Sequence, residues 1–306
     1  MDTRPITSAR LASSVIAVPP LARDGQGRVD LKQNTRLMRH IEQGGVDILL
    51  YGGNANFYHL RPSEYESTLA LLAEAAGEGT LIIPAVGPAY GVMMDQAKIA
   101  REFPFPTVMV LPHTGLNTTA GVETGFRHFV EAYGKPTVLY IKQDGYITPD
   151  GAARLVQDGL VSWVKYAIVR PDPADDPFLA ELVSKVDPQL IVSGIGEQPS
   201  IVHLRKFGCN GFTAGCVCVA PALSARLLLA IKAGEWDKAE AIREQFLPLE
   251  DLRNGINPVR VLHEAVALAG IADTGEILPL LSPLDDAQRA LVRAAAQGLL
   301  AINRPA

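Results

Sequence analysis

The stretch Val161-Ser162-Trp163-Val164-Lys165-Tyr166-Ala167-Ile168-Val169 is apolar almost throughout, yet it holds a lysine at its centre. Its length and β-branched content are those of a strand covered on both faces, as in a parallel sheet flanked by helices. An ammonium there loses hydration, which favours the neutral amine and lowers its pKa. A neutral amine at neutral pH is a nucleophile, and its natural electrophile is a carbonyl, giving a Schiff base. Read alone, the stretch also fits a lysine at a strand end, with its head in solvent or paired to a carboxylate.

Similar short apolar runs recur on both sides of this stretch. Val15–Val18, Asp47–Tyr51, Leu81–Val86, Thr107–Leu111, Thr137–Ile141, Ser162–Ile168, Leu190–Ser193 and Gly211–Ala214 make eight candidate strands. Most lie about 25 to 30 residues apart, the size of a βα unit. The stretches between them have helix signals. Asp30 can cap Leu31–Gln43, which ends at Gly44-Gly45. Pro62 can open Ser63–Ala76, where Leu69, Leu72, Ala73 and Ala76 share a face, and Thr148-Pro149 opens a helix running towards Gly159. Eight alternating units in about 215 residues predict a (β/α)₈ TIM barrel over 1–221. From about Ala222 only helices follow: Leu223–Ala233, Trp236–Phe246, Pro258–Ala269 and Asp286–Asn303, with Pro279–Pro283 linking the last two. Residues 222–306 therefore read as a C-terminal helical extension.

The 306 residues, 48% hydrophobic and 20% charged, are ample for one large core or two modest ones. A formal net charge of −5 without a basic cluster argues against nucleic acid or an anionic membrane surface as partner. No apolar run reaches the roughly 20 residues of a membrane helix. Val15–Val18 stops at Pro19-Pro20, too short for a signal-peptide core. Cys209, Cys216 and Cys218 are odd in number, crowded together and without neighbouring histidine. They read as small buried residues of a reduced, cytoplasmic protein rather than a metal site.

In a TIM barrel the chemistry sits at the C-terminal strand ends. Strand two ends in Tyr51-Gly52-Gly53-Asn54-Ala55-Asn56. Its small residues expose backbone N–H groups, and Asn54 and Asn56 offer amide donors, which together suit an oxyanion or carboxylate. An ordinary tight turn would use the same residues. Strand four ends in Leu111-Pro112-His113-Thr114, where His113 is either a pocket acid or base or a surface loop residue. Strand five ends in Leu139-Tyr140-Ile141-Lys142. Side-chain alternation puts Trp163, Lys165 and Ala167 on one face of strand six, and Val138 and Tyr140 on one face of strand five. With both faces inward, a phenol stands near the amine and can shuttle protons.

Together these residues resemble the dihydrodipicolinate synthase / N-acetylneuraminate lyase family of class I Schiff-base lyases, over nearly the whole chain. Val18-Pro19-Pro20 with Gly27-Arg28-Val29-Asp30 is similar to the family's "TPF…G-x-(I/V)-D" opening. Pro136–Tyr140 resembles its "P-x-x-x-Y-N" strand, and Val164-Lys165 its "G-(I/V)-K" lysine, 25 residues further on. Gly208–Thr213 resembles its "G-x-x-G-x-(I/T/S)" segment, and Asn257-Pro258-Val259-Arg260 its "NP-x-P-(V/I)-K" helix start. Each piece is short, but all five occur in order at the right intervals. The resemblance implies that Lys165 forms the Schiff base with a 2-oxo acid and that Tyr140 relays protons. It further implies a homodimer or homotetramer. No metal or organic cofactor is implied, because the imine supplies the polarisation.

The departures are equally specific. The family's "GTTGE" loop reads Gly52-Gly53-Asn54-Ala55-Asn56, so both threonines and their hydroxyls are gone; Asn54 can replace a hydrogen bond but not a proton relay. The Tyr-Tyr after strand four becomes His113-Thr114, which puts His113 forward for part of the relay. The synthase's "YN-x-P-x-R" becomes Tyr140–Gly145 without the arginine that a dicarboxylic semialdehyde needs, so lysine synthesis is not expected. Phe57-Tyr58 and Lys142-Gln143-Asp144 are similar, more loosely, to the sugar-acid dehydratase branch typified by 5-dehydro-4-deoxyglucarate dehydratase.

The expected function is thus a lyase acting on a small 2-oxo acid by aldol cleavage, condensation or dehydration. Gly53 and Asn54 amides would hold the carboxylate, with Phe57, Tyr58, Ser193-Gly194 and Thr213 shaping the distal pocket. The alternatives are a barrel of the same family that binds a 2-oxo acid or sugar acid without turnover, and a phosphate-binding barrel using Gly194-Ile195-Gly196 and Gly215. The last lacks a clear helix-cap phosphate signature.

Overall fold

The computed structural model describes residues 1–304. Eight parallel strands close a barrel in sequence order: β1 (Ile16–Ala17), β2 (Ile48–Tyr51), β3 (Leu81–Val86), β4 (Met109–Val110), β5 (Thr137–Ile141), β6 (Val161–Tyr166), β7 (Ile191–Ser193) and β8 (Gly211–Ala214). Seven of them fall within the candidate strands named above, and β6 begins one residue earlier than expected, at Val161. Strands buried on both faces need no polar alternation, and nearly every one of these residues is buried. β1 and β4 are short, but their flanks stay in the ladder: Val18 N–H donates to Ala214 O (3.0 Å) and Leu111 N–H to Val86 O (2.9 Å).

A short helix, α1 (Ser8–Ala12), precedes the barrel. The strand-following helices are α2 (Leu31–Gln43), α3 (Tyr65–Ala75), α4 (Tyr90–Ala100), α5 (Thr119–Tyr133), α6 (Pro149–Gln157), α7 (Pro177–Lys185), α8 (Ser200–Phe207) and α9 (Pro221–Lys232). Local chemistry sets their starts. Asp30, Thr118, Thr148 and Asp176 each accept a hydrogen bond from a first-turn amide, and proline follows Thr148 and Asp176. Pro62 opens a 3₁₀ turn, Pro62–Glu64, and α3 begins only at Tyr65. α9 packs against both α2 and α8, where the eighth helix of the outer ring belongs, so the ring reaches past residue 221.

α1 closes the N-terminal end of the barrel. Arg10 is paired with Asp47 just before β2 (2.8 Å), and Asn210 Nδ2 just before β8 donates to Ser8 O (2.7 Å). The opposite, C-terminal end is left for the loops.

Three further helices follow: α10 (Trp236–Gly255), α11 (Pro258–Leu268) and α12 (Asp286–Ala301). The helix expected to stop at Phe246 continues through Pro248 to Gly255. An interior proline costs about 3 kcal/mol through a lost hydrogen bond and a clash. Here Leu249, Glu250 and Arg253 are buried beyond it, and this packing outweighs the penalty. Asn257 Oδ1 then caps α11 by accepting from the amides of Val259 and Arg260. Among the described residues, no helix is long and apolar enough to cross a membrane.

Candidate active site

The loops at the C-terminal strand ends enclose a cavity of about 360 Å³. Lys165 and Tyr140 both line it, and the register of β5 against β6 explains why. Thr137 pairs with Val161, but Leu139 pairs with Val164, so β6 carries one extra residue between these rungs. This bulge brings Tyr140 level with Lys165, and neighbours in register point to the same face. The Lys165 Nζ lies 4.5 Å from the centre of the Tyr140 ring. Trp163 is fully buried on the same face of β6 and Ala167 lines the cavity, as the alternation predicts. Tyr166, on the other face, turns outward to Asp176, Phe178 and His203.

Lys165 is 6% exposed. Burial, reinforced by the positive charges of Lys142 and Arg253, holds its amine down to about 7. The neutral, nucleophilic form is therefore well populated at neutral pH. Burial pushes the Tyr140 phenol up to about 12, with Arg253 pulling the other way; the group keeps its proton and is available as a donor. Gly194 packs directly on the lysine stem. A Cβ there would come within 2.8 Å of Ala167 Cβ and Tyr166 O, and 3.0 Å of Lys165 Cγ.

The β2 loop is a tight turn. The amides of Ala55 and Phe57 donate to Gly52 O (both 3.1 Å) and that of Asn56 to Gly53 O (3.0 Å). The Gly53 and Asn54 amides have no such protein acceptor among the described residues. Asn56 sits in the left-handed region (φ 57°) that asparagine tolerates. Gly53, Asn54, Asn56 and Tyr58 line the cavity, whereas Gly52 is packed beneath it, where a Cβ would strike Met109 Cε. The Asn54 side chain is engaged, donating to Val18 O (3.1 Å). The Tyr58 hydroxyl donates to Pro112 O (3.4 Å), and Lys142 Nζ lies 5.9 Å from its ring centre. Gly194 and Thr213 complete the expected set on the β7–β8 side.

His113 is placed elsewhere. It lines a second cavity of about 870 Å³ beside the ends of β3 and β4, with Tyr90, His128 and Tyr146. It is absent from the lining of the Lys165 cavity. A strand-end position alone does not say into which cavity a loop side chain turns.

The sequence reading missed the charges behind β7 and β8. α10 delivers Arg253 into the cavity lining, 8% exposed, its Nη1 3.3 Å from Glu250 Oε1. Glu250 also accepts from Glu197 N–H (3.0 Å), and Glu197 accepts from Ser224 Oγ (3.0 Å). Both carboxylates are fully buried. Burial and the neighbouring Glu250 push the Glu197 carboxyl well up, while Arg253 restrains the rise at Glu250. Burial thus favours a proton on Glu197, whereas the Arg253 guanidinium favours the charged form of Glu250. The Cys216 thiol lies with both carboxylates, their ligand atoms within 4.8 Å of one another, and burial pushes it up. The positive charge at this cluster is the guanidinium. The available signal was the buried pair Glu250 and Arg253 on one helix face with Phe246 and Leu249.

The glycines of the phosphate-binding alternative serve close packing. A Cβ on Gly196 would lie 2.2 Å from Glu250 Oε1, and one on Gly215 2.0 Å from Leu262 Cδ1. The three cysteines are buried and free, as expected.

A TIM barrel with a buried, activated lysine among its C-terminal loops belongs with the barrel enzymes whose chemistry sits at that end. The chain is a member of the Dihydrodipicolinate synthetase family, whose sequence profile matches residues 12–298. It is similar to 4-hydroxy-tetrahydrodipicolinate synthase of Pseudomonas putida (28% identical, covering 88% of this chain and 92% of that one). It is also similar to the probable 5-dehydro-4-deoxyglucarate dehydratase 1 of Streptomyces avermitilis (23%, 96% and 94%). Among solved structures, dihydrodipicolinate synthase from Bacillus clausii shares the fold (TM-score 0.84, 24% identity, 95% and 99% covered). So does YagE from E. coli K12, solved in complex with pyruvate (TM-score 0.81, 19%, 93% and 98%). A lyase kind of reaction is supported by these family names.

Proposed function

We propose that the protein is a Schiff-base-forming lyase acting on a 2-oxo acid, by aldol cleavage or condensation or by dehydration of a deoxy sugar acid. The observation that carries this reading is Lys165, buried and held near neutrality beside Tyr140 in an enclosed cavity. The neutral amine attacks C2 of the oxo acid, and water leaves as the iminium forms. The iminium accepts an electron pair from C3, either on loss of a C3 proton or on cleavage of the C3–C4 bond. The resulting enamine expels a C4 hydroxyl in dehydration, or takes up a proton at C3 after cleavage. Water then releases the product and regenerates Lys165.

Tyr140 is the proton donor in this scheme, with Tyr58 and Thr213 as the other hydroxyl-bearing side chains around the cavity. The amides of Gly53 and Asn54 hold the substrate carboxylate, since the neighbouring amides are already engaged by the turn. His113 lies outside the cavity, so we assign it no proton transfer.

The second reading is a binding barrel without turnover. It is favoured by the loop Gly52–Asn56, which brings no hydroxyl to the carboxylate end of the cavity. Incubation with 2-oxo-3-deoxy sugar acids, following aldehyde release and loss of water by mass spectrometry, separates the two. Turnover abolished by Lys165→Ala supports the lyase. Imine formation without turnover of any such acid supports the binding protein.

A further inference from the structure

Either route through the enamine needs a group that takes a proton from the substrate and gives it back. In dehydration the C3 proton must leave; in aldol cleavage the C4 hydroxyl proton must. Lys165 is spent in the imine, and the Tyr140 phenol, pushed up to about 12, keeps its own proton. Burial pushes the Tyr58 phenol up as well. Among the described residues no aspartate or glutamate lines the cavity. A guanidinium does not give up its charge in a protein, which removes Arg253 from consideration. Two titratable side chains of the lining remain, Lys142 and His59.

Their settings differ. Lys142 is exposed, with its Nζ 5.9 Å from the centre of the Tyr58 ring. Lost hydration on the protein side lowers its amine, but open water and the ring face both favour the ammonium, which accepts no proton. His59 is half-buried and ends the 3₁₀ turn Phe57–His59, which follows the left-handed residue Asn56. Two neighbours pin this turn. Phe57 is buried with its ring edge-on to Tyr65, centres 6.4 Å apart, and the Tyr58 hydroxyl is bonded to Pro112 O. His59 N–H donates to Asn56 O (2.9 Å), and among the described residues its ring nitrogens have no protein partner. The cavity wall thus holds an imidazole whose nitrogens are uncommitted, the side-chain type best suited to taking up and returning a proton near neutral pH.

We propose that His59 is the general base of the reaction, shuttling one proton between C3 and the C4 hydroxyl of the substrate. This rests on the Schiff-base reading above. In dehydration the neutral imidazole takes the C3 proton, and the C3–H electron pair forms the C2=C3 bond as the iminium nitrogen is neutralised. The imidazolium then gives that proton to the C4 oxygen, which leaves as water with the C4–O pair while the enamine closes C3=C4 and restores the iminium. In aldol cleavage the imidazole takes the C4 hydroxyl proton, the C3–C4 pair becomes the enamine, and the imidazolium protonates C3. His59 ends neutral on both routes, and no further reactant is needed. The loop Gly52–Asn56 brings no hydroxyl to the site; the imidazole three residues beyond it fills that want.

The test separates the imine from the proton transfer by using pyruvate, whose methyl group is C3. Borohydride trapping on Lys165 reads the imine, and deuterium uptake into the methyl group in D₂O, followed by NMR, reads removal of the C3 proton. Wild type should give both. His59→Gln should still be trapped on Lys165, while its exchange rate falls by about a hundredfold or more. His59→Ala should exchange as slowly and be accelerated by added imidazole, and it decides the matter if His59→Gln does not fold. Exchange within about threefold of wild type in a folded His59 variant would overturn the proposal. So would a deficit that imidazole leaves unchanged, which marks a structural role, or exchange that is lost in Lys142→Met but kept in His59→Gln. Trapping without exchange in the wild type would overturn this inference and leave the Schiff base intact. Absence of any adduct with pyruvate or larger 2-oxo acids would defeat the Schiff-base reading, and this inference with it.

Discussion

Tyr140 and Lys165 stand level on adjacent strands only because β6 holds one residue more than β5 between the rungs Thr137–Val161 and Leu139–Val164. Without the extra residue Lys165 would stand beside Ile141, and Tyr140 would face the helices. The bulge sits at Ser162-Trp163, where Ser162 Oγ is hydrogen-bonded to Thr107 Oγ1 (2.8 Å). Two bonds fix the strand beyond the lysine: Ala167 N–H to Ile141 O (2.8 Å) and Gly194 N–H to Tyr166 O (2.6 Å). The amine and phenol are thus positioned by backbone pairing on both sides.

The lowered pKa of Lys165 sets the pH dependence of imine formation. Below about 7 the amine is protonated and cannot attack; above it the neutral form dominates. The initial rate of adduct formation with pyruvate should rise with pH through a midpoint near 7 and then level off. An ordinary lysine would still be rising at pH 10. Because Lys142 is the larger of the two charges holding the amine down, Lys142→Met should move the midpoint upward. A midpoint unmoved, or moved downward, would contradict this account of the shift.

Tyr140→Phe removes the hydroxyl but keeps the ring beside Lys165. Imine formation should survive, whereas turnover of a productive substrate should fall by about 10² to 10⁴, the usual worth of a positioned acid or base. Single-turnover trapping and steady-state kinetics on the same variant check both halves. Unimpaired turnover would transfer the proton role elsewhere, with Tyr58 the next hydroxyl on the wall.

Gly194→Ala tests the packing on the lysine stem. The added methyl would overlap Ala167, the Tyr166 carbonyl and Lys165 Cγ, and backbone cannot yield cheaply. A stability loss of about 1–3 kcal/mol is expected from urea unfolding, with slower adduct formation in the protein that remains folded. Wild-type values for both would mean that the strand ends are looser than this contact implies.

Much of this was legible in the sequence, for identifiable reasons. Strands buried on both faces read as uninterrupted apolar runs, and α2 is bounded by its own Asp30 cap and the Gly44-Gly45 stop. The pairing of Lys165 with Tyr140 followed from alternation on adjacent strands, although the bulge that permits it has no sequence mark. Arg253 was hidden because Pro248 reads locally as a helix stop. Only the burial of Leu249, Glu250 and Arg253 against the barrel keeps α10 going. His113 was misplaced for the complementary reason: its position at a strand end is local, but which cavity it faces depends on how the loops pack around it.

The buried carboxylates should respond unequally to amide replacement. Burial and Glu250 push the Glu197 carboxyl up, so Glu197→Gln, which mimics its neutral form, should change stability by less than about 1 kcal/mol. Glu250→Gln removes the carboxylate facing Arg253 and should cost about 3–5 kcal/mol, the penalty for stranding a buried charge. Denaturant unfolding of both variants at neutral pH distinguishes them. Equal losses would place the proton differently.

The central claim is that Lys165 forms an imine with a 2-oxo acid. Its most direct test is borohydride reduction in the presence of pyruvate, read by intact mass and peptide mapping, with Lys165→Ala as the control. One stable adduct per chain is expected, located on Lys165 and lost in the variant. No adduct with pyruvate or with larger 2-oxo acids, or one that persists in the variant, would contradict it.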